Sequence, residues 1–439
     1  MARRISVVGT GYLGATHAAC MAELGFEVIG VDVDEAKVKT LSDGQVPFYE
    51  PGLEPMLSSL VDAGRLRFTT SFEEAADFAD VHFICVGTPQ RADGLAADLS
   101  HVDSAVDALA RHLTRPALVV GKSTVPVGTA QRLLETLQRT APAGDAVSLA
   151  WNPEFLREGY AVADTLTPDR LVFGTVRDED EATLREVYAS AIDGGCPVVV
   201  TDFATAELVK VAANSFLATK ISFINAIAEV CEVVDADVVA LADAIGHDAR
   251  IGRRFLNAGL GFGGGCLPKD IRAFMARAGE IGAADALAFL REIDAINMRR
   301  RTRAVEVTRE VLGGSVLGAR VAVLGVAFKP ESDDVRDSPA LNVAGQLQLQ
   351  GAQVRVYDPK AMENARAVFP TLGYAASVDE ATADADVVLH LTEWSEFAAL
   401  DPRALAARVR TPVVVDGRNC LDAEAWRAAG WTYRGLGRS

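Results

Sequence analysis

The feature that most restricts how this chain folds is a short apolar run ending on glycine. Ile5-Ser-Val-Val-Gly9 is followed at once by Thr-Gly11-Tyr12-Leu13-Gly14 and an alanine-rich segment. A β-branched run too short for a helix, glycines spaced Gly-x-Gly-x-x-Gly, and then helix formers describe a strand–turn–helix unit. A second strand, EVIGVD, ends on Asp32, eighteen residues after Gly14. The glycine spacing is weak evidence by itself; strand, turn, helix and distal acid together are strong. Gly9 permits the tight turn, Gly11 lets backbone approach a pyrophosphate, and Gly14 allows close packing of helix on strand. The helix start offers N–H groups to phosphate, while Asp32 suits ribose hydroxyls and repels a 2′-phosphate. The expected cofactor is NAD rather than NADP. Lys37, one helical turn past Asp32, faces the adenosine side or is an ordinary surface lysine.

The same rhythm continues. VHFICVG (81–87), ALVVG (117–121), RLVFG (170–174) and PVVVT (197–201) read as further buried parallel strands. Two of their ends, Val86-Gly-Thr88-Pro89 and Lys122-Ser-Thr124-Val-Pro126, would meet the cofactor at the carboxyl edge of the sheet. From Phe203 some thirty residues without Gly or Pro carry apolar side chains at helical spacing, a helix long enough to act as a spine or a dimer interface. Helical character continues to about residue 312. A second α/β pattern then starts at RVAVLGVAF (320–328), again with a strand ending on Asp (Asp358). The fold class expected is α/β: two Rossmann-like doubly wound domains joined by a long central helix and a helical middle domain. The boundaries expected are 1–202 for NAD binding, 203–312 for the helical middle with the dimer interface, and 313–439 for a second nucleotide-type domain.

Sixty acidic against 43 basic residues, a net charge of −17, argue against nucleic acid and anionic membranes as partners. No apolar run is long enough to cross a bilayer, and the expected location is cytoplasmic. Six scattered cysteines, with no CxxC and no metal-like pairing with histidine, predict neither a disulfide framework nor a metal site. Five of the six read as small core residues.

The sixth is different. In Gly259-Leu-Gly-Phe-Gly-Gly-Gly-Cys266-Leu-Pro268-Lys-Asp270, five glycines in seven residues lead to a cysteine that opens a helix. Proline suits a first helical turn, so Cys266 lies at a helix N-terminus, where the thiolate is favoured, and the glycines keep its approach open. A core cysteine needs neither arrangement. Beside an NAD site a nucleophilic thiol has a specific use: it carries an aldehyde through a thiohemiacetal to a thioester, so that an alcohol is oxidised to an acid. Lys210 and Asn214, four apart on one face of the long helix, are candidates for charge stabilisation, although lysine on an apolar helix is often a surface residue. Glu154 and Glu158, in NPEFLREG after the fourth strand, are candidate carboxylates or merely solvated acids.

Taken together, VVGTGYLG, GKSTVPVGT, NPEFLREG, the helix with Lys210 and Asn214, GFGGGCLPKD, LGVAFKPESDDVRDSP and DGRN resemble the UDP-glucose/GDP-mannose dehydrogenase superfamily over essentially the whole length. The resemblance implies oxidation of the C6 alcohol of a nucleotide sugar to a carboxylate, with two NAD and a catalytic cysteine. It implies Cys266 as nucleophile, Asp270 with Thr124 holding a water, and Lys210 with Asn214 stabilising the oxyanion. Glu154 would direct the hydrolytic water, Glu158 would approach the nicotinamide and Arg336 would reach NAD. The sugar nucleotide would be lined by Glu154, Phe155 and Leu156, by Phe255, Leu256, Asn257, Gly259, Phe262 and Gly263, and by Phe328, Lys329 and Arg418. Arg250 would come from the partner subunit of a homodimer. The FKPESDDVRDSP stretch looks more like the UDP-glucose branch than the GDP-mannose branch, which is the alternative; an N-acetylmannosamine branch would carry histidine before the cysteine. A non-catalytic sugar-nucleotide sensor would lack the catalytic set, which is present here. One departure stands out: Gly265 occupies the position before the cysteine where the family commonly has serine.

Overall fold

The computed structural model describes residues 3–438. The chain forms two compact units, one running to Ala213 with Gly279–Ile281, the other comprising Asn214–Ala278 and the residues from Gly282 onward.

The first unit is built on an eight-stranded sheet: β1 (Arg4–Val8), β2 (Glu27–Val31), β3 (Leu66–Thr69), β4 (Val81–Ile84), β5 (Ala117–Gly121), β6 (Val147–Trp151), β7 (Leu171–Gly174) and β8 (Val198–Thr201). Their order is β3-β2-β1-β4-β5-β6-β7-β8, so the sequence of strands reverses between β1 and β4. Helices cover both faces, which is why the central strands are apolar at consecutive positions rather than alternate ones. In β1, Ile5 and Val7 join one core with Val28, Ala18 and Leu57, whereas Val8 joins the other with Ile29, Val102 and Leu133. Each fully buried Ile, Val or Leu contributes roughly 1.5–3 kcal/mol from removal of apolar surface from water.

Two strand expectations need correction. β7 meets β6 antiparallel, at Trp151 and Gly174, although β7 and β8 are parallel to each other. β8 is an edge strand with Val199 half exposed, not a buried one. Alternative strand directions share one composition, so a run such as RLVFG does not reveal which way it enters the sheet. Strands β3 and β6 were not expected; LRFT is short and interrupted by charge, and VSLAW is poor in β-branched residues.

The second unit starts within the long helix, Phe203–Val234, and contains the helix Leu267–Glu280 up to Ala278 and the helix Phe289–Val311. Its six strands are β9 (Arg320–Leu324), β10 (Gln353–Tyr357), β11 (Gly373–Tyr374), β12 (Val387–His390), β13 (Val413–Asp416) and β14 (Thr432–Gly435), in the order β11-β10-β9-β12-β13-β14. All their pairings are parallel. This is the order of the first six strands of the other sheet, repeated. The helix Phe289–Val311 serves two cores: Leu290 and Ile293 pack with Ala218, Phe262 and Ile271, while Ala304, Val305 and Val307 pack into the sheet. Among the described residues, no helix is long and apolar enough to cross a membrane.

Candidate active site

The dinucleotide turn has the geometry its glycines require. Gly9 adopts φ +86°, a left-handed value that other residues avoid, and a Cβ there would overlap the backbone of Val86. At Gly14 a Cβ would collide with the carbonyl oxygen of Gly9, whereas at Gly11 it would meet nothing within 4 Å. Gly11 caps the helix Tyr12–Glu23 without a side-chain hydrogen bond, so no capping side chain competes for the first N–H groups. Asp32 follows β2 beside this turn. Its Oδ2 accepts from the Thr10 N–H at 2.9 Å, and Lys37 Nζ pairs with the same oxygen at 2.9 Å. Burial alone would raise the Asp32 pKa, but the Lys37 bond and backbone donors outweigh it and hold the carboxyl below its ordinary value. Lys37 is therefore bound to the acid, not idle on the surface. The following strand ends are stitched together: Thr88 donates to the Thr124 carbonyl at 2.8 Å and Ser123 donates to that of Val86 at 2.7 Å. An open helix start, a close backbone turn and an anchored acid fit a dinucleotide.

The loop after β6 carries the next group. Lys210 Nζ lies 2.8 Å from Glu154 Oε1, and the Leu156 N–H donates to Oε2 at 2.6 Å. Lys210 is 4% exposed, so it is not a surface lysine. Burial would raise the Glu154 pKa, yet the Lys210 ammonium, the Leu156 N–H and the more distant Lys122 keep it below its ordinary value. Phe155 lies between two cations, with the Arg170 guanidinium 3.7 Å from its ring centroid and Lys210 Nζ at 5.6 Å.

The cysteine loop of the second unit differs from the open approach expected of it. Leu260 N–H donates to the Gly417 carbonyl, Gly264 N–H to that of Arg336, and Phe262 N–H to Asn297 Oδ1. Gly261 and Gly264 have positive φ, and a Cβ at Gly259 or Gly263 would collide with the backbone oxygens of Gly417 or Asp337. The glycines are required because this loop packs flush against the chain around it, and the space expected to be open for a ligand is largely filled by protein. Cys266 is exposed and immediately precedes the helix Leu267–Glu280; its carbonyl accepts from the Asp270 N–H. Asp270 is buried, accepting from Asn214 Nδ2 at 2.6 Å and pairing with Lys269 at 2.6 Å. Thr124, its expected companion, belongs to the other compact unit.

Gly265 has a local explanation. A Cβ there would come within 2.5–2.7 Å of the Arg336 guanidinium, which Asp334 holds through Nε at 3.0 Å and Nη2 at 2.7 Å. A serine would push that flexible guanidinium aside; the glycine lets it rest over the chain just before the cysteine. Arg418 donates to three carbonyls, those of Leu391, Gly261 and Phe328, and its Nε also lies 3.2 Å from Glu393 Oε2, so it clamps the glycine loop to two others. Lys329 Nζ lies 5.5 Å from the Phe328 ring centroid. Leu256 is core, Asn257 accepts from Arg253, and Phe255 is partly exposed with φ +66°. Arg250 projects into solvent, held only by Asp248 two residues away among the described contacts.

Several residues that matter here carried no motif. Buried Glu50 accepts from the N–H groups of Gly159 at 2.6 Å and Ala161 at 2.7 Å and from the Tyr12 hydroxyl, so it ties the loop bearing Glu154 and Glu158 to the dinucleotide turn. Tyr12 thus has its phenol committed to Glu50. Glu207 accepts from Gly128 and Ala130 N–H, fixing the helix start that follows Thr124. Lys122, buried, donates to Asn152 and lies 3.2 Å from the Tyr188 hydroxyl; burial pushes its pKa down to about 8.

Comparisons agree with this architecture. Residues 3–192 match the family model described as the UDP-glucose/GDP-mannose dehydrogenase family, NAD binding domain; residues 204–299 match its central domain and 322–423 its UDP binding domain. A UDP-glucose 6-dehydrogenase of Rhizobium meliloti is 43% identical over 99% of both chains. The Bacillus subtilis UDP-glucose 6-dehydrogenase TuaD is 40% identical over 99% of this chain and 93% of its own. A UDP-glucose dehydrogenase structure from Pyrobaculum islandicum superposes with TM-score 0.92 at 39% identity, covering 100% of this chain and 98% of that one.

Proposed function

Because the chain belongs to the UDP-glucose/GDP-mannose dehydrogenase family, we infer that it oxidises the C6 alcohol of UDP-glucose to the carboxylate of UDP-glucuronate, with NAD as acceptor. The observation that carries the mechanism is the Asn214–Asp270 bond, which joins the long helix to the first turn of the helix that Cys266 precedes. NAD, when bound, supplies the hydride acceptor for each of the two oxidations; the Gly9–Gly14 turn and Asp32 would hold it, with Glu158 and Arg336 toward its far end.

Loss of hydride and a proton from the C6 alcohol gives an aldehyde. Cys266 sulfur adds to that carbon, and the oxyanion of the thiohemiacetal needs donors, supplied by the Lys210 ammonium and the Asn214 amide. Loss of the second hydride leaves a thioester on Cys266. Water then cleaves the C–S bond, releasing acid and thiol, with Glu154 as base and Asp270 with Thr124 ordering a water for proton transfer. Lys210 keeps Glu154 ionised, so one ion pair serves both an electrophilic and a basic role. Arg418 and the glycine loop shape the sugar-nucleotide site, lined also by Phe155, Leu156, Phe262, Phe328 and Lys329.

We further propose a homodimer built on the long helix. Phe216, Phe223 and Val230 are 66%, 50% and 57% exposed and recur every seven residues, an apolar stripe of the kind helices bury against a partner. Exposed Arg250 would then be available to the partner subunit. The absence of a disulfide among the described residues suits a reducing, cytoplasmic compartment.

A panel of UDP-glucose, GDP-mannose and UDP-N-acetylhexosamines tests the substrate. UDP-glucose should turn over fastest, with two NADH formed per sugar. A preference for GDP-mannose, or one NADH per sugar, would overturn the reading.

A further inference from the structure

We propose that His390, Asp416 and Cys420 form a binding site for a thiophilic divalent cation of the zinc class, separate from the catalytic groups. β12 ends on His390 and β13 ends on Asp416, and the two residues are direct partners in the sheet register. Cys420 lies four residues further on, in the loop leaving β13. His390 Nδ1 is 3.1 Å from Asp416 Oδ1 and 3.8 Å from Cys420 Sγ, and the three donor atoms all lie within 4.8 Å of one another. Zinc bonds of about 2.0–2.3 Å at tetrahedral angles separate their donors by roughly 3.2–3.8 Å. One ion therefore reaches all three with only small side-chain adjustments. This is the only group of three such donors among the described residues.

The surroundings suit an ion. His390 and Asp416 are almost wholly buried, at 1% and 0% exposure, whereas Cys420 opens to solvent. A cation has an entry path, and water can complete a fourth position. The carboxylate is already aimed: Asp416 Oδ2 accepts from the Leu421 N–H at 2.8 Å and the Tyr433 hydroxyl at 3.0 Å, and Oδ1 from the Arg418 N–H at 3.1 Å. Such outer contacts orient metal-binding side chains. Buried His390 Nε2 has no hydrogen-bond partner. Binding at Nδ1 puts the ring proton on Nε2 without an acceptor, a cost that the nitrogen–metal bond must offset. The thiol gives its proton to solvent as the sulfur–metal bond forms. Nitrogen, oxygen and sulfur donors together select Zn²⁺ or Co²⁺ over Mg²⁺ or Ca²⁺, which take oxygen. Sequence spacing concealed the group, because thirty residues separate His390 from Cys420 and no motif spans them.

Co²⁺ titration of the chelator-treated full-length protein tests the site. One equivalent should give sulfur-to-cobalt charge-transfer absorption and the intense visible bands of tetrahedral cobalt, reversed by added Zn²⁺. The signal should persist in Cys266→Ser, disappear in Cys420→Ser, and require at least ~10-fold more cobalt in His390→Leu. Because Cys420 is exposed, its variant should fold even if His390→Leu does not, and circular dichroism will confirm this. Absence of the signal from the wild type, its survival in Cys420→Ser, or its loss in Cys266→Ser would each overturn the proposal.

Discussion

Glu154 and Lys210 show how one contact gives two residues their chemical character. Burial of either charge alone is costly; at 2.8 Å each offsets the burial of the other. Replacing Glu154 with Gln should remove the base for thioester cleavage while leaving the oxidations intact. Intact mass after mixing with substrate and NAD should then show an acylated enzyme; rapid turnover with no added mass would exclude the role. Cys266→Ser should abolish net formation of UDP-glucuronate, since a serine adduct does not lead to an activated thioester. Two NADH per sugar from that variant would remove the thiol from the mechanism. Lys210→Ala should lower kcat by roughly 10²-fold or more, as loss of an oxyanion donor does elsewhere. Its rate will be read in single turnovers, and a value near wild type would return Lys210 to a packing role.

At the scale of elements, β5 and β6 are joined by a buried cation. Lys122 bonds Asn152 and the Asn152 side chain in turn donates to the Val172 carbonyl, so the end of β5 is linked through β6 to β7. Its pKa lies near 8 in the fold against 10.5 for an ordinary lysine. Between those values the unfolded chain binds more protons than the folded one, so this group makes stability rise with pH. The span corresponds to ~3 kcal/mol in total. Thermal unfolding of the wild type, compared with Lys122→Met from pH 8 to 10, should show a Tm difference that grows in favour of the wild type. A difference independent of pH would mean that Lys122 keeps its ordinary lysine pKa in the fold.

Over the whole molecule, two sheets of the same strand order meet different needs. In the first, Gly9 N–H donates to the Val31 carbonyl and Asp32 remains beside an open turn; in the second, Gly325 N–H donates to that of Tyr357 and Asp358 lies at the equivalent strand end. Asp358, however, accepts from Val326, Ala327, Lys360 and Ala361 N–H groups and from Trp394 Nε1, and is 1% exposed. It is a structural bolt and not a ribose reader. One strand order thus supports two kinds of nucleotide domain. Assembly is the remaining question at this scale. Phe216→Glu combined with Phe223→Glu should give monomers in sedimentation, with other elements intact, and a dimer that survives both changes would place the interface elsewhere.

By itself the amino-acid sequence determined what short-range physics controls: the strand runs, the Gly9 turn, the thirty-two-residue helix and the cysteine at a helix start. Periodicity and local sterics act over a few residues and leave a readable trace. Only the tertiary structure decided which groups meet. Glu154 and Lys210 are fifty-six residues apart, as are Asn214 and Asp270, and no spacing rule announces either pair. Nor did composition reveal that β7 enters antiparallel, that Cys420 is exposed rather than core, or that the glycines before Cys266 make room for neighbouring backbone. Those outcomes depend on the partner each residue finds when distant segments pack, and packing is settled by the whole chain at once.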